Sequence, residues 1–246
     1  MTFLLVHGGG STARFWARVV PHLDGRSLAV DLPGRHDRPA DLATLTVDDE
    51  VASVLADVGA ADVDDPIVLV AHSSGGLVVP GVVAALGGRV RHVVLSAALV
   101  PPEGGTGLDC MKPHHAAGLR AAVADAEGRG TTITLPGPPD DPEPQRGAFG
   151  GDPLDDETLA FVLDPQRCVP DTVHHYFQPV HWSRAASVPV TYVVNQRDRP
   201  IPPALQVEMI GRLPQGAQRV DLDDGHIPAV TDPVGFAAVL GGLPGV

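Results

Sequence analysis

The stretch Ile67-Val68-Leu69-Val70-Ala71-His72-Ser73-Ser74-Gly75-Gly76 decides how this chain is read. Its aliphatic start has the pattern of a strand buried on both faces. The small residues that follow mark a sharp turn into a second apolar run, Leu77 to Leu86, read as a helix. A hydroxyl nucleophile on such a strand-to-helix turn needs small residues two positions before and after it, because the backbone is crowded and strained. Ser73 has Ala71 and Gly75 in those places, whereas Ser74 would have His72 and Gly76, so the register favours Ser73. The competing reading is a serine that only caps a helix. In the Ser73 register, the Ser74 N–H falls at a helix N-terminus, where amide donors and dipole together stabilise a developing oxyanion.

Similar strands recur outward from this point. Phe3 to Val6, Leu28 to Val30, His92 to Leu95, Val190 to Val194 and Ala217 to Leu222 complete a set of six with Ile67 to Val70. Continuous apolar strands alternating with helical stretches indicate an α/β fold with a mostly parallel sheet covered by helices. The helical stretches are Phe15 to Leu23, Thr46 to Val58, Leu77 to Leu86, Ala204 to Leu213 and Val234 to Leu240. Thr46 with Asp48, Asp49 and Glu50 suits a helix start, and Pro80 predicts a kink.

A serine hydroxyl attacks only when a base takes its proton, and that base needs an acid to set its tautomer. Asp198 follows the Val190 to Val194 strand, and His226 follows the last one. Both stand at carboxyl ends of strands, where open α/β sheets build their sites, and the chain order Ser, Asp, His is right. Glu103, Asp109, Asp223 and Asp224 compete for the acid role. The first strand ends in His7-Gly8-Gly9-Gly10, a loop without Cβ atoms that lets backbone N–H groups approach a substrate oxygen, and Gly9 is the candidate second oxyanion donor. No GxGxxG or Gly-Lys-Ser/Thr pattern supports a phosphate cradle.

With these residues the chain resembles the α/β-hydrolase superfamily along nearly its whole length. It is most similar to the small-lid group of plant methylesterases and hydroxynitrile lyases. The matching features are Leu-Leu-Val-His7-Gly8 with Trp16 downstream, Asp31-Leu32-Pro33-Gly34, His72-Ser73-Ser74-Gly75-Gly76, Asp198 followed by Ile201-Pro202, and Gly225-His226. The resemblance implies Ser73 as nucleophile, Asp198 as acid, His226 as base and the Gly9 and Ser74 amides as oxyanion hole. It also implies that two strands usually found before the first are missing here. The lyase members carry Lys after the catalytic His and Thr after the first-strand His, where this chain has Ile227 and Gly8, so lyase chemistry is disfavoured.

Residues 101–184 interrupt the alternation and hold 12 of the 25 prolines. They read as a cap inserted before the penultimate strand, on a core of residues 1–100 and 185–246, with helical pieces near Ala116 to Ala126 and Asp155 to Leu163. The Pro-rich stretch 136–152 is expected to be mobile. Tyr176, Phe177 and Trp182 stand where the cap rejoins the core and are the candidate substrate-lining residues, with lid anchoring as the alternative.

Composition closes off other classes. The 246 residues suit one sizeable domain. A net charge of −13 with 16 scattered arginines and a single lysine leaves no basic stripe for nucleic acid. The same usage points to a high-GC bacterial source and is compatible with specialised metabolism. No apolar run reaches the ~20 residues a membrane span needs, and the first residues lack a secretory pattern, so a cytoplasmic protein is expected. Cys110 and Cys168 read as free thiols. His114-His115, His174-His175 and His181 lack metal-ligand spacing, and no metal or cofactor is expected. The expected activity is a serine hydrolase cleaving a small carboxylic ester, lactone or thioester through an acyl-enzyme, as a monomer or homodimer. A cyclase, acyl-transfer or carbon-carbon bond-cleaving enzyme using the same residues, or a non-catalytic ligand receptor, are the alternatives.

Overall fold

The computed structural model describes residues 1–243; the last three residues of the expected core lie outside them. Six strands, β1 (Thr2–Val6), β2 (Arg26–Val30), β3 (Ile67–His72), β4 (Val90–Ser96), β7 (Val190–Asn195) and β8 (Gln218–Leu222), form one parallel sheet in the order β2-β1-β3-β4-β7-β8. A two-stranded antiparallel ribbon, β5 (Thr134–Leu135) with β6 (Asp171–Thr172), sits in the long β4–β7 connection. Each reading of a core strand from its apolar run is therefore matched by a strand, the first five extended by one or two residues at one or both ends and the last starting one residue later, at Gln218.

Alternating side chains of the central strands feed two separate cores, one on each face of the sheet. Leu4, Val6, Ile67, Leu69, Val93 and Leu95 pack with helices α1 (Val47–Ala60), α2 (Val79–Leu86) and α5 (Pro203–Ile210). Phe3, Leu5, Val68, Val70 and Val94 pack with Phe15, Trp16 and α7 (Pro233–Gly241), which follows the short α6 (Pro228–Thr231). Burial on both faces is why these strands carry no polar alternation.

Local rules set the helix boundaries. Thr46 caps α1 through a reciprocal hydrogen-bond box with Asp49, an arrangement worth about 1 kcal/mol. The kink expected at Pro80 is absent. The turn after Ser73 runs as a 3-10 segment to Leu77, and α2 starts only at Val79, so Pro80 lies in its first turn, where no intrahelical N–H is needed. The helix expected over Phe15 to Leu23 is instead two 3-10 pieces, Ala13–Arg18 and Val20–His22, because Pro21 prevents a continuous ladder.

The β4–β7 connection holds α3 (Pro113–Gly128), the ribbon and α4 (Asp156–Leu163). Its stretch 136–152, expected to be mobile, is packed: the Phe149 carbonyl accepts the His226 N–H at 2.8 Å, and Gly150 forms a β-bridge with Asp198. Among the described residues no helix is long and apolar enough to cross a membrane.

Candidate active site

The turn after β3 holds Ser73 at φ +51°, in the left-handed region that a residue with a Cβ seldom adopts. The crowding expected there is present. A Cβ on Gly75 would lie 2.6 Å from the His7 carbonyl oxygen, and one on Gly76 only 2.4 Å from that of Leu99. The Ser73 carbonyl accepts the Leu99 N–H at 2.9 Å, fixing the turn against the end of β4.

Three strand ends bring Ser73, His226 and Asp198 together. His226 Nε2 is 3.1 Å from Ser73 Oγ, and His226 Nδ1 is 2.7 Å from Asp198 Oδ2. An ionised Asp198 can only accept, so Nδ1 carries the proton and Nε2 is left to accept from Ser73. The Asp198 carboxylate also accepts the Ile201 N–H at 2.7 Å and Gln206 Nε2 at 3.2 Å. Gln206, fully buried on α5, is a member of the site that spacing alone could not announce. The competing acids are engaged elsewhere: Glu103 with Ser183 and His181, Asp109 with Thr106, Asp223 with Arg197, and Asp224 with Gly225 and Thr231.

Two buried histidines hold the surroundings without offering charge. His72 Nε2–H donates to the His226 carbonyl at 2.8 Å while its ring stacks on Phe15, and burial keeps its pKa well below the ordinary value. His7 Nδ1–H donates to the Gly8 carbonyl at 2.8 Å, and its Nε2 accepts the Leu32 N–H at 3.3 Å. Burial, with the Arg35 charge, lowers His7 to about 4. An unfolded chain protonates this histidine first, near 6.5, so its contribution to stability is present above that pH and is lost as the pH falls toward 4. His72 acts in the same direction. His175, raised by Glu50 and Asp171 against the pull of burial, acts in the opposite one. From His7 alone urea unfolding should show a stability about 2 kcal/mol lower at pH 5 than at pH 7, reinforced by His72 and opposed by His175, and a higher stability at pH 5 would contradict the assignment of neutral His7 and His72.

A cavity of about 310 Å³ opens beside this constellation, lined by Gly9, Phe15, Phe149, Phe161, Leu163 and Ile227 among others. Of the three aromatics expected to line a substrate site, none lines it. Trp182 is fully buried in the core beneath α2, and Phe177 borders a different groove with Leu42 and Val123. Tyr176 is buried, but its hydroxyl comes close to the glycine loop after β1: a Cβ on Gly9 would lie 2.9 Å from it and 3.3 Å from Ser74 Oγ. Aromatic character signals burial equally well for an anchor and for a pocket wall, so only the fold separates them. The aromatic wall of this cavity is supplied by Phe15, Phe149 and Phe161.

The alpha/beta hydrolase family model matches residues 3–239. Curated proteins give no significant match. Among solved structures, an extracellular α/β-hydrolase from a Paenibacillus species aligns at 19% identity over 98% of this chain and 97% of its own, with a TM-score of 0.79. It is described as sharing structural and functional homology with tobacco salicylic acid binding protein 2. A thermophilic esterase from Thermogutta terrifontis aligns at 18% identity over 98% of this chain and 88% of its own, with a TM-score of 0.75. The methylesterase MES16 from Arabidopsis aligns at 18% identity over 98% and 97%, with a TM-score of 0.68. At such identities the likeness is one of fold.

Proposed function

The chain belongs to the α/β-hydrolase family, and from that premise we propose that it is a serine hydrolase cleaving a small carboxylic ester, lactone or thioester through an acyl-enzyme. The carrying observation is the unbroken hydrogen-bond line from Asp198 through His226 to Ser73. His226 Nε2 takes the Ser73 proton as Oγ attacks the carbonyl carbon, and Asp198 stabilises the imidazolium that forms. The tetrahedral oxyanion is held by the Gly9 and Ser74 amides. His226 then gives its proton to the departing alcohol, and deprotonates the water that releases the acid.

The cavity walls support an ester with an apolar acyl or alcohol part, since Phe15, Phe149, Phe161, Leu163 and Ile227 dominate them and Ser11, Gln145 and Arg167 are the few polar side chains among them. Residues 101–184 serve as the cap, because Leu135, Phe149 and Phe161 from this segment form one side of that cavity. The free thiols Cys110 and Cys168 suit the reducing cytoplasm in which we place the enzyme.

Labelling by a fluorophosphonate tests the reading. The wild type should label, Ser73→Ala should not, and a panel of p-nitrophenyl esters should be hydrolysed in the same pattern. An unlabelled wild type, or equal labelling of both proteins, refutes it.

A further inference from the structure

The loop that carries the Gly9 amide contains three successive glycines, the residues with the greatest backbone freedom. An oxyanion donor is effective only if it is aimed before the charge develops. What aims it here comes largely from outside the loop. The Gly8–Gly9 peptide plane is held at the Gly8 carbonyl by His7 Nδ1–H. The Gly9–Gly10 plane is held at the Gly10 N–H, which donates to Asp171 Oδ2 at 2.8 Å. The next plane is held at the Gly10 carbonyl by the Val169 N–H at 2.9 Å, and the one after at the Ser11 carbonyl by Arg35 Nε–H at 3.1 Å.

Asp171 and Arg35 are themselves a pair, Nη2 to Oδ2 at 2.5 Å, with both side chains wholly buried. Arg35 Nη1–H is fixed on the Pro33 carbonyl at 2.7 Å, and Asp171 Oδ1 accepts the Thr172 N–H at 2.7 Å. A second buried pair, His175 Nδ1 to Glu50 Oε1 at 2.9 Å, stands behind them. A buried ion pair adds little stability relative to well-packed apolar residues, so its placement calls for another account.

We propose that Asp171, braced by Arg35, is a positioning residue: it locks the Gly10 amide and so aims the neighbouring Gly9 N–H at the transition-state oxyanion. This rests on the reading of Gly9 as an oxyanion donor. Asp171 reaches the chemistry only through the loop and touches no reacting atom.

The decisive variant is Arg35→Met/Asp171→Leu, an apolar replacement of the whole pair that avoids leaving one buried charge alone. On p-nitrophenyl butyrate it should keep KM within about threefold while kcat falls about 10²-fold, the size expected for losing one oxyanion donor. Affinity for the trifluoromethyl ketone 3-octylthio-1,1,1-trifluoropropan-2-one, whose adduct with serine carries the same oxyanion, should fall in proportion to kcat/KM. Asp171→Asn, close to the native shape, should lose about tenfold in kcat, because its single carbonyl cannot serve both the Gly10 and Thr172 amides. Wild-type kcat in either folded variant, or a loss confined to KM, overturns the proposal. Failure of the wild type to label with fluorophosphonate would instead overturn the serine-hydrolase reading beneath it.

Discussion

Ser73→Ala is expected to lower kcat on an activated ester by about 10⁵-fold or more, and a Ser73→Ala/His226→Ala double variant to be no worse. On the proposed mechanism the two side chains act as one unit: without Oγ there is nothing for His226 to deprotonate, and without the base the hydroxyl is inert at neutral pH. The residual rate would come from the oxyanion donors alone. Stability should move differently. At φ +51° the residue sits in a conformation that costs an L-amino acid about 1–2 kcal/mol. Alanine keeps that cost and glycine removes it. Ser73→Gly should therefore be as inactive as Ser73→Ala yet unfold at higher urea by about 1 kcal/mol. Steady-state kinetics and urea titrations of the three proteins check both statements, and equal stability of the two variants would argue against backbone strain at the turn.

Gly150→Ala is expected to be the most damaging single methyl group in the chain. At φ +78° its added Cβ would lie 2.0 Å from the Arg197 carbonyl oxygen and 2.8 Å from the Arg199 amide nitrogen, both backbone atoms that have no rotamer to change. The bridge between Gly150 and Asp198 must open, and with it the grip of the Phe149 carbonyl on the His226 N–H. The loops that carry Asp198 and His226 are then displaced together. We expect kcat to fall about 10²-fold, as for angstrom-scale misplacement of reacting groups, with a stability loss of about 2–4 kcal/mol, in the range of overpacking plus strain. Gly118→Ala, in open space within α3, is the control and should stabilise slightly. If Gly150→Ala retains wild-type kcat, the wedge has no part in holding the site.

How much of this was legible beforehand depended on range. β3 and its glycines could be read because strand, turn and helix lie within twenty residues, and each demands its own residue types. The meeting of Asp198 and His226 with Ser73 could be anticipated because chain order and strand ends are properties of the sequence. The Phe149 carbonyl and the Arg35–Asp171 pair could not, because their partners lie far off in the chain or are main-chain atoms, which leave no compositional trace; nor could Gln206, eight residues from Asp198, because a glutamine in an apolar helix carries no sign of what it will meet. Pro80 misled because a proline in an apolar run looks the same whether it interrupts a helix or begins one. Trp182 and Phe177 left lining and anchoring open because both roles bury an aromatic, and only the fold distinguishes them.

The inserted segment gives main-chain atoms to both halves of the candidate site, Phe149 and Gly150 to the loops that carry His226 and Asp198 and Val169 to the glycine loop after β1. It therefore cannot be exchanged among relatives as an interchangeable cassette. A graft cut at the ends of β4 and β7 would carry away the stitches that align the chemistry. One confined to the exposed helix Pro113–Gly128 would leave them whole. New specificities built by recombination should thus tolerate replacement of that helix and fail when residues 149–151 or 169–171 are swapped, which marks where a library ought to be diversified.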